Sequence, residues 1–176
     1  MIPTIFVNAE RRIIIEWEII PASGFPAELH PDCCSYEVID EYYNTLDALR
    51  DSLTRPVSFG LRLSAKSRRR IVEEQLYLSG DSMGAAWLLG ALCFLKRKPF
   101  PQDLLIWGAI RPIRNGHFAL YKTGSTRLKI CKAIESRKQR IVYPEDEKGV
   151  FFPGLSLRLP ADMQQTIRQL EVLIDE

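Results

Sequence analysis

The sequence has little of what usually marks a metal site or a disulfide framework. Among its 176 residues there are only two histidines and four cysteines. The cysteines show no repeated spacing of the kind that closes a metal site or a set of disulfides. They are Cys33, Cys34, Cys93 and Cys131. We therefore expect no metal, no cofactor, and free thiols in a reducing cytoplasm.

The sequence also lacks an excess of charge of one sign and a long apolar run. Its 24 basic and 22 acidic residues leave a net charge of +2, so no overall field draws the protein to nucleic acid or to a membrane. The longest apolar run, Met83 to Leu95, is far shorter than the ~20 residues that span a bilayer. The N-terminus has no signal-peptide pattern. We expect a cytoplasmic protein with no membrane and no nucleic-acid partner, and solvated basic clusters at 66–70 and 96–98.

What the sequence does contain is enough hydrophobic residues, 46%, for the core of one domain. Runs of β-branched residues and alternating patterns predict eight strands. They are Thr4 to Val7, Arg12 to Ile20, Val57 to Leu63, Ile71 to Ser79, Leu104 to Ile110, His117 to Tyr121, Arg140 to Tyr143 and Leu155 to Leu159.

Helical spacing and caps predict four helices, and proline and glycine predict the loops between elements. The helices are 35–53 after a cap at Ser35, 83–95, 125–138, and a last one that carries Met163, Ile167, Leu170 and Ile174 on one face. The segments 21–32 and 64–70 are predicted to be loops, the second of them mobile. We expect an α+β fold in one compact domain over residues 1–176.

A serine between two glycines is the most suggestive chemical feature. Gly80-Asp81-Ser82-Met83-Gly84 lies between a predicted strand and the most apolar helix. The glycines allow a tight turn, which would expose Ser82 at a helix N-terminus with backbone N–H groups pointing outward. Such amides can stabilise an oxyanion. The same short pattern also occurs where a serine merely caps a helix.

One interpretation of this serine is the nucleophile of an α/β-hydrolase. That fold requires an acid and then a histidine downstream of the nucleophile, and His117 is the only histidine after Ser82. The chain after Ser82 leaves little room for the strands and helices that separate the members of such a triad. His117 also lies in an alternating segment, where a packed or surface histidine is common.

A second interpretation comes from the order of short motifs, which resembles the proteolytic domain of Lon proteases. The matching pieces, in the family's order, are 80–84 for G-P-S-A-G, 103–109 for D-V-A-M-T-G-E, 129–133 for K-L-L-A-A, 141–146 for the strand and I-P-x-E-N turn that follow, and 157–160 for the closing strand. The resemblance covers most of the chain and is strongest over 75–147. It implies the α+β fold of the Lon proteolytic domain.

The resemblance also implies a serine–lysine catalytic dyad, with Ser82 as nucleophile and Lys129 as base. A serine hydroxyl needs a neighbouring base to take its proton. A lysine can serve only if its pKa falls from about 10.4 toward ~7–8, which burial can achieve. The apolar neighbours of Lys129 are compatible with burial, although a solvated lysine is the ordinary alternative. Five further residues are expected around the dyad and its oxyanion site: Asp81, Met83, Trp107, Gly108 and Thr126.

Three positions depart from the family pattern. Asp81 replaces a proline, and a carboxylate near Lys129 would favour the ammonium form. Trp107 replaces a threonine whose hydroxyl helps to orient the lysine, and Ala109 replaces a glutamate. Thr126 or Ser125, one turn before Lys129, are candidates for the missing hydrogen-bond partner.

Three classes of function are compatible with the sequence: an unrelated hydrolase or another α+β protein, and the two Lon-like functions that follow. The first is a serine endopeptidase that hydrolyses peptide bonds of unfolded or dedicated protein substrates without ATP. The second is a catalytically inactive Lon-like module used for assembly or partner binding. Because the sequence has no ATPase module, we expect flexible substrates or a separate ATPase or regulatory partner. By analogy with the rings of Lon domains we also expect a homo-oligomer.

Overall fold

The N-terminal strands form a three-stranded antiparallel sheet. The computed structural model describes residues 1–7, 11–21, 24–26, 33–53 and 56–176. Strand β1 (Ile2–Val7) pairs with β2 (Arg12–Ile20), and β2 pairs with β3 (Gly60–Leu63). Alternation along β2 buries Ile15 and Trp17 on one face. The predicted strands are confirmed, with β3 shorter than expected; the predicted turn at 8–11 and the loop at 21–32 lie largely outside the described residues.

A second sheet is parallel. It has the order β4-β7-β8 and consists of β4 (Leu104–Ile106), β7 (Arg140–Pro144) and β8 (Leu155–Leu159). The first two strands are buried along their length apart from Arg140, as parallel strands covered on both faces usually are. The predicted strands at 140–143 and 155–159 are confirmed.

The predicted strand from Leu104 to Ile110 is two strands in the structure. After β4 the chain turns at Gly108 and begins β5 (Ala109–Pro112), which pairs antiparallel with β6 (Phe118–Tyr121). A short 3₁₀ helix at Arg114–Gly116 lies between the paired strands. The division matters for function because it places residues 107 and 108 between two sheets.

The apolar helix predicted after the glycine-flanked serine forms the centre of the molecule. Helix α3 (Gly84–Lys96) is buried over its first ten residues, as expected for a helix that is apolar all round. Helices α1 (Tyr36–Ser52) and α5 (Met163–Asp175) pack against it. The bounds predicted for α1 and α3 are confirmed within one residue at each end, and the predicted apolar face of α5 is confirmed because its four residues are buried.

The predicted mobile loop at 64–70 and the predicted strand at 71–79 are wrong. A helix, α2 (Ala65–Glu73), occupies most of this segment. It begins where the Ser64 hydroxyl accepts a hydrogen bond from the backbone N–H of Ser67 at 3.1 Å, an N-cap. Ser67 and Ile71, four residues apart, face inward while the basic side chains point to solvent. A short amphipathic helix with few apolar residues gave too weak a periodic signal to be recognised.

Helix α4 (Thr126–Glu135) is shorter than the predicted helix at 125–138. It packs on the β1–β2 hairpin beside a small apolar cluster that includes Ile5, Leu105 and Trp107. All these elements form a single compact domain of mixed helices and strands. In the described parts of the chain, no helix has the length and hydrophobicity needed to cross a membrane.

Candidate active site

A pocket of about 160 Å³ joins the turn before α3 to the start of α4. Its walls come from the end of β1, from the serine turn and from the segment around the α4 N-terminus. The lining residues are Val7, Ser79, Gly80, Asp81, Ser82, Thr123, Gly124, Ser125 and Lys129. Ser82 and Lys129, predicted as a pair from the sequence, therefore open into the same cavity.

Ser82 lies in the turn that leads into α3. Met83 occupies the N-cap position of that helix, so the first amides of α3 lie next to the serine. Gly80 adopts a φ of +94°, a conformation that costs little only for glycine. The Ser82 side chain is half-buried, and its hydroxyl donates a hydrogen bond to the carbonyl of Ile5 at 3.3 Å.

Gly108 fixes the serine turn from the other side. Its N–H donates to the Ser82 carbonyl at 3.0 Å, and its own carbonyl accepts from the N–H of Ala85 at 3.1 Å. A Cβ at this position would lie 2.9 Å from Leu120 and 3.0 Å from Pro144. The glycine shared with the Lon pattern thus permits a close approach between the β4–β5 connection and the start of α3.

A buried carboxylate supports the same turn from below. Glu41 on α1 is 1% exposed and accepts a hydrogen bond from the N–H of Ile110 at 2.7 Å. A Cβ at Gly84 would overlap its Oε1. Burial raises the pKa of Glu41 well above its usual range, while the amides of Ile110 and Gly84 and the positive charge of Arg111 act in the opposite direction. Glu41 is not among the site residues predicted from the sequence.

Asp81 has its own counter-ion. Its Oδ2 accepts from Arg111 at 2.6 Å and 3.1 Å, and the same guanidinium lies 5.6 Å from the ring centre of Tyr121. The expected effect of this carboxylate on Lys129 is present, because Asp81 raises the pKa of Lys129, but it is the smallest of the three influences on that amine.

Lys129 lies in the first turn of α4 and is 2% exposed. Its amine donates a hydrogen bond to the hydroxyl of Thr123 and lies 5.9 Å from the centre of the Trp107 ring. Burial lowers the pKa of Lys129 from 10.5 to about 8, against the opposing charges of Glu147 and Asp81. The alternative of a solvated lysine is wrong for this residue.

Glu147 completes the surroundings of the lysine. It is 6% exposed, and one oxygen accepts from the Trp107 indole at 3.2 Å and from the Thr123 N–H at 3.4 Å. Its other oxygen accepts from the hydroxyl of Thr126. The Trp107 ring stacks on Tyr143 with ring centres 5.8 Å apart. Burial raises the pKa of Glu147, and the charge of Lys129 acts against that rise.

The side-chain hydrogen-bond partner of the Lys129 amine is neither of the two residues predicted from the sequence. Thr126 hydrogen-bonds Glu147, and Ser125 accepts the Lys129 backbone N–H through its carbonyl at 3.1 Å as part of the helix. Thr123, three residues before Thr126, instead provides the hydroxyl that hydrogen-bonds the amine. Sequence alone gave no signal for Thr123, because its approach depends on the left-handed conformation of Ser125, with φ of +65°.

The other predicted or alternative site residues lie apart from the amine. Ala109 is buried at the start of β5. The ring of His117 is mostly exposed and pairs with Asp51 at 3.0 Å, and His117 is not among the described residues that line the serine pocket. The structure therefore does not bring together the serine and histidine that an α/β-hydrolase would need.

Ser82 and Lys129 share a pocket, but each hydrogen-bonds another residue. A half-buried serine next to a helix N-terminus and a buried lysine with lowered pKa line one small cavity, where the hydroxyl bonds the Ile5 carbonyl and the amine bonds Thr123. Within the described ranges, no three His, Cys, Asp or Glu side chains are grouped so as to hold a metal ion.

No protein-family model matches the sequence, and the search of curated proteins likewise finds no match.

Proposed function

We propose that this protein is a serine endopeptidase of the Lon type, with Ser82 as the nucleophile and Lys129 as the general base. The observation that carries the proposal is the common pocket of the two residues, in which the lysine is buried and its pKa is lowered to about 8. A structural lysine in a solvated helix would not have this property.

Because its pKa is lowered, Lys129 has a substantial neutral fraction at physiological pH. With a pKa of about 8, roughly a quarter of the Lys129 amines are neutral at pH 7.5, against about 0.1% for an ordinary lysine. A neutral amine has a lone pair that can accept the serine proton. Thr123 accepts a hydrogen bond from the amine, which restricts the directions available to that lone pair.

The proposed reaction uses both groups in turn. Lys129 takes the proton of Ser82 Oγ as the oxygen bonds to the carbonyl carbon of the substrate. The oxyanion that forms is stabilised by backbone N–H groups of the serine turn at Ser82 and Met83, since those of Gly84 and Ala85 are bonded to Glu41 and to the Gly108 carbonyl. The lysine then gives its proton to the leaving amine, and a water molecule, deprotonated by the same lysine, hydrolyses the acyl-enzyme.

The size of the pocket indicates the class of substrate. Its volume of about 160 Å³ is below the ~300–1,000 Å³ of usual small-molecule sites. A pocket of this size holds only a short part of a peptide, so a protein substrate would have to present an extended segment to it. Unfolded or dedicated flexible proteins are therefore the proposed substrates, either taken up without ATP or delivered by a separate ATPase.

Covalent labelling tests the proposal directly. A fluorophosphonate should form an adduct on Ser82, and the protein should cleave unfolded casein. Both properties should be lost in Ser82→Ala and strongly reduced in Lys129→Met. Ser79→Ala is the matched control, since Ser79 lines the same pocket and should be dispensable. Labelling that persists in Ser82→Ala would contradict the assignment of the nucleophile.

One observation favours the second candidate, a Lon-like module without catalysis that serves assembly or partner binding. The Ser82 hydroxyl donates to the Ile5 carbonyl, while the Lys129 amine donates to Thr123, so neither group is directed at the other before a substrate is bound. If no adduct and no cleavage are found while the protein forms a stable homo-oligomer, this second function is the better one.

A further inference from the structure

In the described part of the chain, the Lys129 amine contacts two side chains, and the residues that carry them both hydrogen-bond one carboxylate. The amine donates to the hydroxyl of Thr123 and lies over the face of the Trp107 ring. Glu147 accepts from the backbone N–H of Thr123 at 3.4 Å and from the indole of Trp107 at 3.2 Å. A third hydrogen bond comes from Thr126, in the first turn of the helix that carries the lysine.

All of these groups are buried. Lys129, Thr123, Glu147 and Trp107 are 2%, 8%, 6% and 0% exposed. Solvent therefore cannot easily replace a hydrogen bond that is lost among them, and the buried polar groups hold one another in a single arrangement. Stacking of Trp107 on Tyr143 further restricts the indole.

We propose that Glu147 is the positioning residue for Lys129: it fixes the two groups that contact the amine and places a negative charge close to it. This inference rests on the proposed function, because it assigns the residue that prepares the base of that same site. Glu147 itself is not placed in contact with the substrate.

The charges around the amine support a specific role for Glu147. Besides the two residues themselves, Asp81 acts on the charge of Lys129 and Asp146 on that of Glu147, while the Tyr143 ring stacks on Trp107. Asp81 is paired with Arg111. Of the two carboxylates that raise the pKa of Lys129, Glu147 has the larger effect.

Replacement by glutamine separates position from charge. Trp107 and the Thr123 amide both donate to the same Glu147 oxygen, so the single carbonyl oxygen of a glutamine can accept both hydrogen bonds. The glutamine NH₂ can then donate to Thr126, whose hydroxyl is also an acceptor. Glu147→Gln therefore keeps the contacts and removes the charge, whereas Glu147→Ala removes both.

The two variants should differ in kinetics. In Glu147→Gln, the acid limb of the pH profile of kcat/KM should move to lower pH by about one unit, because an opposite charge close to the amine is gone. Its plateau kcat should stay within about threefold. In Glu147→Ala, the plateau kcat should fall by about 100-fold with little change in KM, since a displaced base loses alignment. Asp146→Asn is the matched control and should change neither, because Asp146 is exposed.

An NMR titration of the Lys129 ε-methylene group tests the inference without any turnover. In a Ser82→Ala background, its midpoint should fall when Glu147→Gln is added and stay unchanged with Asp146→Asn. If the parent protein lacks peptidase activity but the midpoint falls as expected, the proposed function fails while the assignment of Glu147 stands. If the protein is active and Glu147→Gln leaves both the titration midpoint and the pH profile in place, the assignment is overturned. The glutamine variant tests the charge of Glu147 whether or not Glu147→Ala folds, and the kcat of Glu147→Ala tests its hydrogen bonds.

Discussion

The carboxylate of Glu41 lies directly against Gly84, at the first residue of the helix that follows Ser82. The oxygen that accepts from the Ile110 N–H is the atom that a Cβ at position 84 would overlap. Gly84, the second glycine of the serine motif, is therefore needed to leave room for the buried Glu41 side chain of α1. This requirement is separate from its role in the turn.

Substitution of this glycine should destabilise the protein. Gly84→Ala should lower the free energy of unfolding by about 1–3 kcal/mol, because the added methyl group forces the buried carboxylate out of its place. Urea unfolding followed by circular dichroism measures the effect. Gly124→Ala is the control, since a Cβ there meets nothing within 4 Å, and it should change stability by less than about 1 kcal/mol.

A double-mutant cycle shows whether Glu41 is the cause. In the Glu41→Ala background the clash is absent, so Gly84→Ala should cost at least about 1 kcal/mol less than in the parent protein. Equal costs in the two backgrounds would rule out the contact with Glu41 as the origin of the destabilisation.

The activity should depend on pH through Lys129. Since the amine must be neutral to accept the serine proton, the rate of fluorophosphonate labelling of Ser82 should rise with pH and level off above about 8, the pKa of the buried lysine. The slope at low pH should correspond to one ionisation. A profile that rises only toward the pKa of an exposed lysine, about 10.4, would contradict the role of a buried base.

The same lowered pKa has a consequence for stability. In the folded state Lys129 loses its proton near pH 8, whereas in the unfolded chain it does so near 10.5. Between these values the unfolded chain binds more protons, so stability rises with pH in this window. Below pH 8 the lysine is mostly a buried ammonium, which destabilises the folded state.

Lys129→Met isolates this contribution. The variant removes the titrating amine and leaves the charge of Glu147 without its counter-charge, so only the pH dependence of the stability difference reports on the lysine. Between pH 8 and 10 the parent protein should gain roughly 2 kcal/mol relative to the variant, the free energy linked to the lowered pKa of the lysine over this window. Urea unfolding of both proteins at each pH gives the difference, in which the titration of other groups largely cancels. A difference that does not vary with pH would contradict the lowered pKa.

Sequence patterns predicted most elements of the fold because those elements have strong local signals. The stripe of α1 and the apolar α3 are examples. Helix α2 was missed because only Ser67 and Ile71 of its residues are buried. The break at Gly108 was also missed, since it depends on the approach of Leu120 and Pro144 from other strands.

The site shows the same limit. Ser82 and Lys129 could be named from their motifs, and both line one pocket. Thr123, Glu147 and Glu41 could not, because each acts through contacts between distant segments. Glu41 did leave one signal, a charged residue on the apolar face of α1 between Val38 and Tyr42; a buried acid at such a position needs donors, and the start of α3 provides them.

The pair of Asp81 and Arg111 explains how a carboxylate is tolerated where the Lon pattern has proline. The guanidinium binds the carboxylate at 2.6 Å, and the pair limits the field that Asp81 exerts on Lys129. Arg111→Ala should therefore expose the amine to an unpaired negative charge, raise the pKa of Lys129 and move the labelling profile to higher pH by about half a unit to one unit.

Two further variants test whether Arg111 acts on Lys129 through Asp81. Asp81→Asn alone should shift the labelling profile slightly to lower pH, because the smallest of the influences on Lys129 is removed. The double variant, Arg111→Ala with Asp81→Asn, should behave like Asp81→Asn rather than like Arg111→Ala, since no negative charge is left to be unmasked. If Arg111→Ala instead lowers the labelling rate equally at every pH, the arginine acts by holding the shape of the serine turn, and its partnership with Asp81 is structural rather than electrostatic.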